Sequence, residues 1–254
     1  MWALFCIFGG NFILLYMIRP ILILIFCSIL VLFQACNSDD DGNHSTSPPP
    51  IPAQNDSTAK VSDTAEVYKE LVSEMEQPDR VIWQKPDLVM SKLGSLDGKT
   101  VADIGAGTGY FSFRLARKGA KVIAIDIDPN AVAWMELQKK SVNEDLQQKI
   151  DIRLAKEDDP NLFTKEADMV LMVNTYIYLD DRVQYLQNLK KGLKPGARIV
   201  IIDFKKKNTP IGPSSDERLS LLEVEKDLLA ANFSILDSDD TTLDYQYIVT
   251  ATMN

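Results

Sequence analysis

Asp103-Ile104-Gly105-Ala106-Gly107-Thr108-Gly109 places an acid two residues ahead of three alternating glycines. A second apolar run, Val122–Ile125, ends in another acid, Asp126, 23 residues after Asp103. Glycines at this spacing let a backbone approach a ligand where side chains would collide. An acid ending the next strand suits a pair of ribose hydroxyls. The chemistry this predicts is recognition of a nucleoside. Dinucleotide sites use Gly-x-Gly-x-x-Gly and dock a pyrophosphate on a helix N-terminus. Here the spacing is Gly-x-Gly-x-Gly, and a carboxylate at Asp103 would repel a pyrophosphate. It suits a ligand whose nearby end carries an ammonium group.

Strands alternating with helices must position these residues. The pattern predicts strands over Thr100–Ile104, Lys121–Ile127, Lys149–Leu154, Ala167–Val173 and Arg198–Asp203. Helices are expected over Thr64–Glu76, Asp87–Leu93, Tyr110–Lys118, Pro129 to about Asn143, Asp180–Lys191 and Leu219–Ala230. Two final strands, Phe233–Asp237 and Asp244–Thr250, are joined by a short link and should pair antiparallel. The expected architecture is an α/β fold: a mostly parallel, Rossmann-like sheet with helices on both faces.

Composition narrows the chemistry. The chain has 254 residues and a formal net charge of −9, which argues against nucleic acid as a partner. Cys6, Cys27 and Cys36 all precede the folded part, and the single histidine, His44, does too. A domain without Cys or His has no disulfide, no thiolate nucleophile and no histidine base, and no metal site is expected in it. Any proton transfer falls to Asp, Glu, Tyr or Lys.

Residues 1–36 are almost wholly apolar, with Arg19 the one charge. Read from Met17, a possible true start, they resemble a signal peptide ending in Phe33-Gln34-Ala35-Cys36. That tetrapeptide is similar to the bacterial lipobox, with Phe33 where that motif prefers Leu, and implies lipidation at Cys36 and a cell-envelope location, periplasmic or surface. The alternatives are an uncleaved membrane anchor, or a cytoplasmic protein if the leader does not function. Residues 37–60, rich in Ser, Asp and Pro, read as a tether, and residues 61–254 as the folded domain.

The ordered motifs resemble class I S-adenosylmethionine-dependent methyltransferases, in their quinone- and small-molecule-methylating branch. The resemblance covers roughly Trp83 to Thr250. It implies a seven-stranded sheet of order 3-2-1-4-5-7-6 with strand 7 antiparallel. It assigns S-adenosylmethionine to Asp103, Gly105, Ala106, Gly107, Gly109, Asp126, Ile127, Glu157, Asp158 and Asn174. Tyr110, Tyr176 and Asp203 are the candidate catalytic residues for in-line transfer to a small molecule, with Tyr178 also near the acceptor. Trp83 and the loop Asn208–Ser215 are candidate lids. Two other functions stay open: a non-catalytic module that binds a nucleoside-like ligand at the envelope, and a nicotinamide oxidoreductase, which the glycine spacing disfavours.

Overall fold

The structure is a computed structural model and describes residues 72, 73 and 76–254. The leader, the tether and most of the expected Thr64–Glu76 helix lie outside the described residues.

Seven strands form one sheet: β1 Thr100–Ile104, β2 Lys121–Asp126, β3 Ile150–Leu154, β4 Ala167–Val173, β5 Leu193–Phe204, β6 Phe233–Asp239 and β7 Gln246–Met253. Their order is β3-β2-β1-β4-β5-β7-β6. β1, β2, β3, β4 and β5 pair in parallel, and β7 runs antiparallel between β5 and β6. This is the order that the methyltransferase resemblance implies.

Central strands are buried on both faces, so their side chains divide between two cores. Val101, Val122, Ala124, Leu171 and Val200 join Val89, Leu93 and Leu115 on one face. Ala102, Ile123, Ile125, Val170, Met172 and Ile201 join Leu186, Leu189, Val224 and Leu228 on the other. The alternation follows from the two-residue period of a strand.

The helices are α1 Arg80–Trp83, α2 Pro86–Leu93, α3 Tyr110–Arg117, α4 Pro129–Lys140, α5 Glu144–Gln147, α6 Arg182–Lys191 and α7 Leu221–Ala230. Several boundaries differ from the sequence expectation because polar side chains cap the helices. Asn143 does not end α4. Its side chain accepts from Leu146 N at 3.0 Å and starts the separate α5. Asp181 caps α6 by accepting from Gln184 N. Ser220 and Glu223 form a reciprocal capping box, so α7 starts at Leu221 rather than Leu219. β5 begins at Leu193, which pairs with Ala167. Pairing then slips before Arg198 meets Met169, so the expected Pro195–Gly196 turn survives as an irregularity within the strand.

After β3 the chain crosses back to the far side of β1, so β1 and β4 flank the point where strand order reverses. Their C-terminal ends, Ile104 and Val173, open a crevice of the kind in which this fold class binds ligands.

Candidate active site

Gly105 leaves β1 with φ of +70°. A Cβ here would lie 2.2 Å from the Thr175 Oγ1 atom, so only glycine permits the close crossing of the β1 and β4 loops. The N–H groups of Gly105 and Ala106 both donate to Ile125 O, at 2.8 and 3.0 Å, and tie the loop to β2. Gly109, at φ +81°, is the N-cap of α3, and a Cβ there would strike the Phe113 ring. It starts the helix and lines neither main cavity.

Asp126 stands at the tip of β2. Its Oδ2 accepts from Gly107 N at 2.7 Å and its Oδ1 from Asp128 N at 2.9 Å. The carboxylate therefore fixes the glycine loop, while its spare lone pairs face a cavity of about 570 Å³. Ile127, Glu157 and Asp158 line the same cavity, with Ile125, Leu179, Tyr185 and Tyr178. Its walls are chiefly apolar with acids along one side, which suits a planar base and a sugar.

Asp103 faces the other way. It is 3% exposed and accepts from Ser112 Oγ at 2.6 Å. Burial pushes its pKa up to about 6 against the opposing Ser112 hydrogen bond, and the Asp126 charge adds to the rise. It lines a second cavity of about 520 Å³, together with Ala106, Thr108, Tyr110, Asn174 and Trp83. Gly105, Gly107 and Thr175 line both cavities, so the glycine loop is the wall they share.

Tyr110 is held between two guanidinium groups, with Arg114 3.5 Å and Arg80 4.0 Å from its ring centroid. Its hydroxyl and Thr108 Oγ1 are buried without a hydrogen-bond partner among the described residues. Both residues line the second cavity with other atoms, while these two oxygens are closed off from it.

Two of the expected catalytic residues lie outside the cavities. Tyr176 is fully buried in the core with its hydroxyl 3.3 Å from Asp227 Oδ2, and burial raises its pKa. Asp203 is fully buried on the same side of the sheet, where burial pushes its pKa up to about 7. Its Oδ1 accepts from Phe204 N at 3.0 Å, and the backbone amides of Ile177 and Tyr176 likewise oppose the rise. Neither lines either cavity: Asp203, within β5, shares the strand phase of Ile201 and so faces the side packed by α6 and α7, and Tyr176, in the 3-10 turn Tyr176–Tyr178 after β4, packs into that same core. Tyr178 is exposed and lines the first cavity, not the second.

Trp83 packs against Phe204 with ring centroids 5.9 Å apart. Pro210, Ile211 and Gly212, from the expected lid loop, complete that side of the second cavity. Arg218 holds the loop in place. Its guanidinium donates to the carbonyls of Lys205, Lys207, Ile211 and Pro213. Nothing local in the sequence distinguishes Arg218, nor Gln84 and Gln246, which meet across 162 residues of chain.

This geometry is an α/β domain with two cavities that share one glycine loop, and comparison with known proteins places the fold. Residues 102–199 match the family model described as Methyltransferase domain. The fold is that of S-adenosylmethionine-dependent methyltransferases. A crystal structure of such an enzyme from Aquifex aeolicus superposes with a TM-score of 0.67 at 25% identity, covering 75% of this chain and 98% of that one. The Streptomyces cypemycin N-terminal methyltransferase is 33% identical over 142 residues, 53% of this chain and 52% of that protein. Demethylmenaquinone methyltransferase of Tropheryma whipplei is 33% identical over 121 residues, 48% of each. The chain thus spans about half the length of the curated relatives it matches.

Proposed function

We propose that this chain is an S-adenosylmethionine-dependent methyltransferase acting on a small molecule. The observation that carries the reading is the pair of acids on opposite sides of one glycine loop, each facing its own cavity. Asp126, already oriented by two backbone amides, takes the ribose hydroxyls. Ile127, Glu157 and Asp158 line the adenine side. Asp103 takes the ammonium of the amino-acid end, which continues past Gly105 and Gly107 into the second cavity.

When bound, the cofactor supplies a methyl group already activated by a positive sulfur. The chain's own task is alignment and exclusion of water. Trp83, Phe204 and the Pro210–Gly212 segment wall the second cavity, where Tyr110 and Asn174 contact the acceptor. Isothermal titration of the protein with S-adenosylmethionine tests the reading. Asp126→Ala removes a charged acceptor of two hydroxyl hydrogen bonds, each worth about 1.5–3 kcal/mol. It should weaken binding more than tenfold. Equal affinity in the variant would remove the ribose assignment, and no binding by the wild type would remove the reading.

We also propose that Cys36 is lipidated and holds the domain at the cell envelope. The motif Phe33–Cys36 and the polar stretch that follows it support this.

A further inference from the structure

A chain of buried amides connects α1 to the tip of β4. Arg80 Nε donates to Gln84 Oε1 at 2.6 Å. Gln84 Nε2 donates to Gln246 Oε1 at 3.3 Å. Gln246 Nε2 donates to Asn174 Oδ1. The three partnered residues are 162 and 72 positions apart in sequence. Gln84 and Gln246 are fully buried and Arg80 nearly so, which leaves little room for water to supply other partners.

The direction of this chain is not arbitrary. A guanidinium can only donate, so Gln84 must turn its carbonyl to Arg80 and its NH2 away. Gln246 must then receive that NH2 on its carbonyl and offer its own NH2 to Asn174. One donor-only group at the head orients three amides in series. Asn174 spends its carbonyl inside the protein and is left with its NH2. That NH2 has no partner among the described residues, and Asn174 lines the second cavity. The Asn174 backbone is also fixed, at φ +57° with its N–H donating to Ile202 O at 2.9 Å.

We infer that Arg80, Gln84 and Gln246 are positioning residues that force Asn174 to present a hydrogen-bond donor to the acceptor, and that the acceptor is therefore an oxygen nucleophile, such as a phenolate or enolate, rather than an amine. This rests on the methyl-transfer reading and names its substrate class. An anionic oxygen has several lone pairs. One accepts from the Asn174 NH2 while another forms the new carbon–oxygen bond. The carbon–sulfur bond breaks with its pair going to sulfur, the sulfonium becomes a neutral thioether, and the oxygen becomes a neutral ether with no proton left to remove. A neutral amine has one lone pair, and that pair must attack. Its N–H groups then need acceptors, which an exposed NH2 cannot be.

The test uses the full-length protein saturated with S-adenosylhomocysteine, with 4-nitrophenol followed across its titration and benzylamine at about pH 10, where it is chiefly the neutral amine, as probes. The absorbance of 4-nitrophenol reports both its binding and its ionisation. The wild type should bind it as the phenolate, lower its pKa, and bind benzylamine more weakly. Gln246→Glu keeps the shape but offers only acceptors, so both Gln84 and Asn174 donate to it and Asn174 turns its carbonyl outward. Gln84→Glu, which never touches Asn174, reverses Gln246 and thereby Asn174 in the same way. Both variants should weaken nitrophenolate binding about tenfold or more and favour benzylamine. Affinity for S-adenosylhomocysteine should stay within about threefold of the wild type. Variants that bind nitrophenolate as the wild type does would overturn the inference. So would a wild type that prefers benzylamine or takes neither probe, or a loss of cofactor affinity in step with the probe, since Asn174 would then serve the cofactor. Failure of the wild type to bind S-adenosylhomocysteine is read separately, by titration of that compound before either probe is added, and it removes the methyl-transfer reading itself.

Discussion

Asp103→Asn should make the protein more stable and less able to bind its cofactor. Asp103 has its pKa raised from 3.8 to about 6, first by burial and then by the Asp126 charge, against the pull of Ser112. A shift of about two units corresponds to about 3 kcal/mol favouring the neutral form. The group ionises less readily in the folded chain than in the unfolded one. Its charge therefore costs nothing below about pH 4, an increasing amount between about 4 and 6, and the full penalty above about 6. Asparagine has the same shape, carries no charge and can still accept from Ser112. At pH 8 the variant should gain up to about 3 kcal/mol, which for a domain of this size is a Tm rise of roughly 6–12 °C. At pH 4 the gain should vanish. Urea unfolding of both proteins at several pH values measures it. Binding should move the other way. Wild-type affinity for S-adenosylmethionine should be level above about pH 7 and fall up to about tenfold per unit below 6, while the variant binds weakly at every pH. A variant less stable than wild type by the same amount at pH 4 and pH 8 would refute the electrostatic reasoning. An unchanged pH profile of binding would refute the ammonium assignment.

Gly105→Ala should abolish cofactor binding and lower Tm, because the new methyl would lie 2.2 Å from Thr175 Oγ1 at a φ of +70°; titration and thermal unfolding together check it. Tyr176→Phe should cost about 1 kcal/mol of stability through loss of the hydroxyl contact with Asp227, and should leave cofactor affinity unchanged. A large fall in kcat with unaltered Tm would instead restore Tyr176 to catalysis. Cys36→Ser should move the protein from the membrane fraction to the soluble one, and an unchanged membrane fraction would favour a spanning anchor.

The sequence alone determined the features that depend on short-range order. Three glycines, Asp103 before them and Asp126 after the next apolar run fix a tight turn from β1 into α3, and the two acids fall at or next to the C-terminal ends of β1 and β2. The alternation of strands and helices, with a final hairpin, dictated a parallel sheet closed by antiparallel strands, and the bounds of β1 and β4 followed from unbroken apolar runs. Helix starts were less legible, since a capping side chain such as Asn143 or Ser220 takes effect through hydrogen bonds that periodicity does not register. Tertiary structure alone decided which side of the sheet each polar residue serves. Tyr176 follows β4 and Asp203 lies near the end of β5, and both strands border the site, yet the 3-10 turn after β4 carries Tyr176, and strand phase carries Asp203, into the core under α6 and α7. It likewise decided that Arg80, Gln84, Gln246 and Asn174 form one directed chain, because hydrogen bonding acts over about 3 Å of space regardless of how much sequence lies between the partners.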